Sequence, residues 1–217
     1  MKIVYCGFFK TGSRSISEFI QKVVDYKDYV GGWIDLHSHP TDIKIKFDQD
    51  IFHLNPDDTC SCVHMGTVKD EKYYNFLKDH DNMIGRDYPY FGMYKYINET
   101  YPDSKFVICI RDTESFVKSY VKYFNSMGLT VARKVNHAIL GINGPTNYER
   151  DAERIRLVYE AHNKRVLEYF KDKPGKLLVL DFKDIGTEKF EKDILNFFNV
   201  GNVENVKMEN IKVWYKD

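Results

Sequence analysis

The sequence has no excess of charge of either sign, since 32 Lys and Arg residues balance 32 Asp and Glu residues. This balance excludes the strong positive excess that favours nucleic acid or membrane-surface partners. Long apolar runs are also missing, and the longest stretches fall far short of a membrane span. The totals therefore favour a globular protein, in which a local basic pocket for an anionic small molecule is still allowed.

Paired metal-binding cysteines are missing too, although the chain contains four cysteines. Cys6 and Cys109 lie in apolar runs and are expected to be small core residues. Cys60, Cys62 and His64 lie close together, but they lack the C-x-x-C spacing and a second cluster, so we expect no metal site. No signal peptide precedes the first predicted strand, and the expected location is the reducing cytoplasm.

The pattern of apolar residues predicts strands that alternate with helices. Strands are predicted at residues 2–8, 33–37, 83–85, 105–110 and 177–182. Helices are predicted at residues 14–26, 70–80, 90–101, from after the polar residues 111–114 to about 127, 148–171 and 187–198. This alternation predicts an α/β fold with a mostly parallel central sheet flanked by helices in three layers.

The predicted elements form one domain over residues 1–217, because the chain length suits a single core. Two stretches interrupt the alternation and are rich in Gly, Pro and turn residues. An irregular segment is expected at about 31–68, and a mobile loop or lid at about 128–147.

The loop after the first strand is the most informative stretch, because KTGSRS (residues 10–15) leads directly into a helix. At such a turn, backbone N–H groups and the helix dipole can hold a phosphate-like anion. Gly7 and Gly12 have the spacing of the Walker A pattern G-x-x-x-x-G-K-[ST], but Ser13 follows the second glycine and the lysine has moved to Lys10. An ordinary ATP- or GTP-hydrolysing loop is therefore disfavoured.

A simpler interpretation of this loop is a capped helix start. Ser13 or Ser15 would be the N-cap, with Glu18 completing a capping box from Ser15. Capping and anion binding are compatible, so the loop alone leaves both open.

A second basic motif follows the predicted strand KFVICI. Arg111 comes directly after this strand, at the carboxyl end where ligands bind in parallel sheets. Ser119 lies eight residues later, about two helical turns, and returns to the same face of the following helix. An arginine and a hydroxyl can together hold one phosphate group. The alternative is an exposed Arg111 that pairs with Asp112 or Glu114.

The two motifs together resemble the sulfotransferase family, whose members have a P-loop-like fold and use 3′-phosphoadenosine 5′-phosphosulfate (PAPS). The segment 10–15 resembles the K-[ST]-G-[ST] loop that holds the 5′-phosphosulfate in those enzymes. Arg111 and Ser119 have the spacing of the pair that holds the 3′-phosphate. The run YINETYPDSKFVICIRDTESFVKSY, preceded by Asp87-Tyr88-Pro89, is similar to a run in small bacterial sulfotransferase-like proteins, as is Tyr159-x-x-His162-Asn163.

The resemblance implies a transfer of the sulfuryl group from PAPS to a hydroxyl or amine acceptor, with adenosine 3′,5′-bisphosphate as the product. The donor would be held by Lys10, Thr11, Gly12, Ser13, Arg14, Ser15, Arg111 and Ser119. Lys10 would stabilise the charge on the leaving phosphate oxygen, so no metal is required. Asp87 stands where many members carry the catalytic base, and His37 and His39 are the other candidates.

The sequence departs from the family at two informative positions. Thr113 replaces the usual proline after Arg-Asp. Ser15 occupies the place of a tryptophan that stacks on adenine in cytosolic members, so the adenine-stacking residue is unassigned. A P-loop nucleotide or small-molecule kinase and a non-catalytic nucleotide-binding relative are the alternatives. Small-molecule, carbohydrate and lipid acceptors all fit the sequence. The sequence also leaves the oligomeric state open.

Overall fold

The structure is a computed structural model that describes residues 1–24, 28–31, 75, 77–86, 90–126 and 147–201. Its strands are β1 (Lys2–Tyr5), β2 (Asp28–Gly31), β3 (Met83–Arg86), β4 (Lys105–Ile110) and β5 (Leu177–Asp181). Its α-helices are α1 (Ser13–Val24), α2 (Tyr94–Thr100), α3 (Thr113–Ser126), α4 (Tyr148–Phe170) and α5 (Glu188–Phe198). Short 3₁₀ helices lie at Tyr90–Gly92 and Phe182–Asp184.

The five strands form one sheet in the order β2-β3-β1-β4-β5, and every neighbouring pair is parallel. The central strand β1 lies between β3 and β4. Val4 is paired with Gly85 on one side and with Phe106 on the other. Because all strands run the same way, their carboxyl ends meet at one edge of the sheet.

Both faces of the sheet are covered, as expected for short apolar strands that alternate with amphipathic helices. Ile3 and Tyr5 of β1 point into a core shared with α1 and α5, whereas Val4 and Cys6 point into a core shared with α2 and α4. The three-layer P-loop NTPase-like α/β fold predicted from the sequence is thus confirmed. Across the described residues, no helix is both long and apolar enough to cross a membrane.

Most predicted elements are present with small shifts at their ends. The first strand ends at Tyr5 instead of residue 8, because the chain turns into the loop at Gly7. The sequence analysis missed β2, a four-residue edge strand in a stretch that it had left between elements. Residues 77–79 are helical, in agreement with the helix predicted there.

Several predictions fall outside the described residues. These are the strand at 33–37, the irregular segment beyond residue 31, the lid up to residue 146, and Cys60, Cys62 and His64. Cys6 and Cys109 are buried free thiols, as expected for core residues. Burial raises the pKa of both thiols, so they stay protonated and unreactive.

Candidate active site

The order of the strands points to the carboxyl ends of β1 and β4. The chain leaves β1 for the edge strand β2 on one side of the sheet, and it leaves β4 for β5 on the other side. Neighbouring strands whose connections diverge in this way leave a crevice between them, where α/β proteins bind ligands. The two motifs singled out in the sequence, at Lys10 and Arg111, follow these two strands.

The loop after β1 is shaped by contacts inside itself. The ring of Tyr5 lies so close to Gly7 that a Cβ there would be 2.8 Å from the ring. The Tyr5 hydroxyl donates to the backbone oxygen of Thr11 at 2.9 Å and lies 2.7 Å from the Thr11 hydroxyl. The Thr11 hydroxyl also contacts the backbone oxygen of Phe8. The buried hydroxyl of Thr11 therefore holds the loop together.

Two residues of the loop adopt left-handed backbone conformations, Lys10 with φ 71° and Gly12 with φ 85°. A Cβ on Gly12 would also lie 2.6 Å from the side chain of Ile185, so glycine is required there for two reasons. The first hydrogen bond of α1 runs from the Ile16 N–H to the Gly12 oxygen at 3.0 Å. The N–H groups of residues 13–15 precede this bond and form the amino-terminal end of the helix.

The hydroxyl and basic side chains at the start of α1 differ in exposure. Ser13 and Ser15 are buried, and Ser15 Oγ has no hydrogen-bond partner among the described residues. The predicted capping box is wrong, because Glu18 pairs with the exposed Arg14 at 2.8 Å instead of with Ser15. Ser15 lies inside α1, two residues beyond the helix start, where its hydroxyl no longer occupies an N-cap position.

Arg111, at the end of β4, reaches back to the loop after β1. Its Nε donates to the Ser115 hydroxyl at 2.9 Å, and its Nη1 donates to the backbone oxygen of Lys10 at 3.1 Å. The guanidinium lies over the ring of Phe182, 4.3 Å from its centre. Asp112 does not pair with Arg111, because it caps α3 by accepting from the Ser115 N–H at 2.9 Å.

The ammonium of Lys10 lies over an aromatic ring and is influenced by the charge of Arg111. It is 3.9 Å from the centre of the Tyr123 ring, a distance typical of a cation–π contact. Burial, and then the positive charge of Arg111, lower the pKa of Lys10 to about 8. Two cations that converge in a half-buried crevice repel each other, and a bound anion would relieve that repulsion.

An open groove of about 740 Å³ runs along the carboxyl ends of β4 and β5. Arg111, Ser115 and Phe182 line it, and Lys183 and Lys189 add two more cations. Both lysines are partly neutralised, Lys183 by Asp181 at 2.9 Å and Lys189 by Asp184. The groove therefore combines an aromatic ring with a wall of mixed charge, in which Arg111, Lys183 and Lys189 stand beside Asp112 and Asp181.

The structure brings some of the predicted residues together and adds others. The guanidinium of Arg111 contacts the backbone oxygen of Lys10, so the loop after β1 and the end of β4 meet at this point. Ser119 is half-buried on α3, but the hydroxyl that Arg111 contacts is that of Ser115. Asp87, His37 and His39 lie outside the described residues.

Sequence reasoning missed Ser115, Tyr123 and Phe182 as residues of this site. Ser115 could have been found from its spacing of four residues after Arg111, and Phe182 from its position directly after β5. Tyr123 carried no recognisable signal, because aromatic residues at helical spacing usually belong to the core.

Comparison with known protein families assigns the chain to one of them. The model of the sulfotransferase domain family matches residues 2–192 of the 217. The fold defines a parallel α/β protein with a crevice between the tips of β1 and β4. The chain belongs to the sulfotransferase domain family.

Two solved structures are similar to this chain at low identity. The sulfotransferase from Alicyclobacillus acidocaldarius has a TM-score of 0.49 and 17% identity, covering 92% of this chain and 81% of that chain. The deoxyadenosine kinase from M. mycoides with bound dATP has a TM-score of 0.46 and 13% identity, covering 92% of this chain and 99% of that chain. No curated protein matches the sequence. The assignment to the family rests on the domain model.

Proposed function

We propose that the protein is a PAPS-dependent sulfotransferase whose donor lies between the tips of β1 and β4. The observation that carries the proposal is that the Arg111 guanidinium reaches the backbone oxygen of Lys10 at 3.1 Å, which brings two basic residues to one crevice. Burial, and then the charge of Arg111, lower the pKa of Lys10 to about 8. PAPS has phosphate groups at both ends of its ribose and an adenine ring, which a basic crevice beside an aromatic groove suits. When bound, it supplies a sulfur whose bond to a phosphate oxygen breaks as the bond to the acceptor oxygen or nitrogen forms.

The loop after β1 is the proposed site of the 5′-phosphosulfate. The N–H groups at the start of α1 point along the helix axis and favour a negative charge. Thr11, Ser13 and Ser15 contribute chiefly through their backbone, because their hydroxyls are buried. Arg14 is exposed and adds charge at the rim. Lys10 stabilises the negative charge that grows on the phosphate oxygen as the acceptor takes the sulfuryl group.

The tip of β4 is the proposed site of the 3′-phosphate. The guanidinium of Arg111 offers a planar set of donors, and the hydroxyl of Ser115 lies 2.9 Å from its Nε. Ser119, one helical turn further along α3, remains a predicted contact. Phe182 is the proposed adenine contact in place of the missing tryptophan, because its ring lines the groove. The Arg111 guanidinium covers one face of that ring, so adenine would stack on the opposite face.

Asp87 is the proposed base that takes the proton of the acceptor. In the sequence it directly follows β3, which ends at Arg86 and is paired with β1. The carboxyl ends of β3 and β1 therefore share the edge of the sheet that holds Lys10. His37 and His39 are the alternatives, and a small-molecule, carbohydrate or lipid acceptor fits the proposal.

Calorimetric titration tests this proposal against its alternatives. Adenosine 3′,5′-bisphosphate should bind with micromolar or tighter affinity. ATP should bind at least tenfold more weakly, because it lacks the 3′-phosphate that Arg111 is proposed to bind. Tighter binding of ATP would favour a kinase and contradict the proposal.

Turnover provides the second half of the test. With PAPS and a panel of hydroxyl and amine acceptors, the protein should release adenosine 3′,5′-bisphosphate in an acceptor-dependent manner. Binding of the bisphosphate without turnover of any acceptor would instead indicate a nucleotide-binding protein that has lost the transfer reaction.

A further inference from the structure

We propose that Tyr159 of α4 is a positioning residue, which sets the backbone at Arg111 so that the guanidinium faces the donor. The inference rests on the proposed function, since it concerns the affinity of the site for the bisphosphate. The Tyr159 hydroxyl accepts from the Arg111 N–H at 2.8 Å and donates to the Arg111 backbone oxygen at 2.9 Å. One side chain thus satisfies both backbone groups of the residue that follows β4.

This contact matters because Arg111 lies beyond the sheet. The pairing of β4 with β5 runs from Phe106 to Ile110, so the strand ladder no longer determines the backbone at Arg111. Backbone groups that leave a sheet in a half-buried place need other partners. The Tyr159 hydroxyl provides them, and the direction of the guanidinium follows from the backbone that it holds.

The ring that carries the hydroxyl is held in place by two aromatic neighbours. The Tyr159 ring is stacked on Phe116 of α3, with centres 3.9 Å apart and planes within 15°. The Phe8 ring packs against it edge to face, with centres 5.9 Å apart. Burial raises the pKa of Tyr159, so the hydroxyl keeps its proton and can donate and accept at once.

The same turn of α4 is anchored to the tip of β1. His162, three residues after Tyr159, places Nε2 2.6 Å from the backbone oxygen of Cys6. Its ring also packs edge-on against Phe8 at 5.0 Å. Because residues three apart share a helix face, α4 contacts both strand tips with one surface. Tyr159 therefore sets Arg111 relative to the loop that carries Lys10.

The variant Tyr159→Phe tests the proposal, because it removes the hydroxyl and keeps the ring stacked on Phe116. We expect the Kd for adenosine 3′,5′-bisphosphate to rise about tenfold, the effect of losing about one well-formed hydrogen bond. Tyr169→Phe is the matched control, since Tyr169 lies on the same helix and its hydroxyl accepts from Asn98 at 3.1 Å, away from the crevice. An unchanged Kd in Tyr159→Phe would overturn the proposal.

A double-mutant cycle separates positioning from a general loss of structure. If Tyr159 acts through Arg111, adding Tyr159→Phe to Arg111→Ala should weaken binding by less than twofold further. A full second tenfold loss would mean that the hydroxyl supports the site as a whole, and would also overturn the proposal. KM for the acceptor should not change in the Tyr159→Phe variant.

Hydrogen exchange keeps the inference testable even if the bisphosphate does not bind and the proposed function fails. In the ligand-free wild type the Arg111 amide should exchange at least tenfold more slowly than a solvent-exposed amide, because it donates to Tyr159. In Tyr159→Phe this protection should be lost, while Tyr169→Phe retains it. An unprotected Arg111 amide in the wild type would refute the contact on which the inference depends.

Discussion

The tips of β1 and β4 have the same plan but present their polar groups in opposite ways. Each follows a buried parallel strand, ends at the same edge of the sheet and opens a helix. At the tip of β1 the hydroxyls of Thr11 and Ser15 are buried, so the N–H groups at the helix start are the main groups offered to a ligand. At the tip of β4 the side chains of Arg111 and Ser115 line the groove.

The comparison shows that the backbone at the two tips is held by different kinds of contact. The loop after β1 is held mainly by its own side chains, as in the contacts of Tyr5 with Thr11, although His162 of α4 also bonds to the Cys6 oxygen at its start. The tip of β4 depends on another element, because the Tyr159 hydroxyl is 48 residues away in sequence. We therefore expect changes at the first tip to affect chemistry and folding, and changes at the second to affect affinity.

The largest expected effect is that of Lys10→Ala on the transfer reaction. Turnover should fall about 10²–10³-fold or more, because the charge on the leaving phosphate oxygen loses its stabilising cation. The Kd for the bisphosphate should change much less, since the backbone donors remain. Lys173→Ala is the control, because Lys173 also lies over a tyrosine ring, that of Tyr169 at 4.0 Å. Turnover that survives the loss of Lys10 would refute its catalytic role.

Arg111→Ala should affect the binding of the bisphosphate more strongly than Lys10→Ala does. The Kd for adenosine 3′,5′-bisphosphate should rise about 10–100-fold, because a charge-assisted set of hydrogen bonds is lost. Arg111→Lys should recover only part of this affinity, since an ammonium cannot reproduce the planar fork. Titration calorimetry measures both variants. Equal binding of wild type and Arg111→Ala would place the 3′-phosphate elsewhere.

The third prediction concerns the backbone at the tip of β1. Gly12→Ala should lower the free energy of unfolding by about 1–2 kcal/mol for the left-handed conformation, with about 1 kcal/mol more for the contact with Ile185. Gly175→Ala is the matched control, because Gly175 has φ 73° but nothing within 4 Å of an added Cβ. Urea unfolding compares the two. Equal losses in both variants would show that the contact with Ile185 is unimportant.

The smallest expected effect is on the pH dependence of binding. The free protein loses the charge of Lys10 as the pH rises through about 8, so the Kd for the bisphosphate should increase severalfold above that pH. Arg111→Gln removes the neighbouring cation, which raises the pKa of Lys10 and moves this loss to higher pH. Lys171→Gln, a change of an exposed lysine paired with Glu168, should leave the profile in place. A profile that is flat between pH 7 and 9 would contradict the shifted pKa.

Much of the fold could be predicted from local patterns. The strand at Lys105–Ile110 was predicted with its observed ends, because a β-branched and aromatic run stands between polar turns. The edge strand Asp28–Gly31 was not, because a four-residue strand carries too little pattern to distinguish it from a loop. The motif residues Lys10 and Arg111 were also singled out from the sequence, since Arg111 directly follows a buried strand and Lys10 lies in the loop after another.

The partners of those motif residues could not be predicted in the same way. Ser119 was predicted from its spacing of eight residues after Arg111, and Ser115 was not considered. The contact of Ser115 with Arg111 Nε depends on the direction in which the arginine side chain leaves β4. The ring of Tyr123 beside Lys10 likewise depends on where α3 lies across the loop.

By itself, the sequence determined the alternation of strands and helices and the two polar strand ends, because hydrophobic periodicity and turn residues act over a few positions. Only the tertiary structure decided that β1 and β4 are neighbours, that Arg111 reaches the backbone of Lys10, and that Tyr159 holds Arg111. Those contacts join residues about 50 to 100 positions apart. The packing of α4 and of the strands brings them together, and no local pattern encodes that distance.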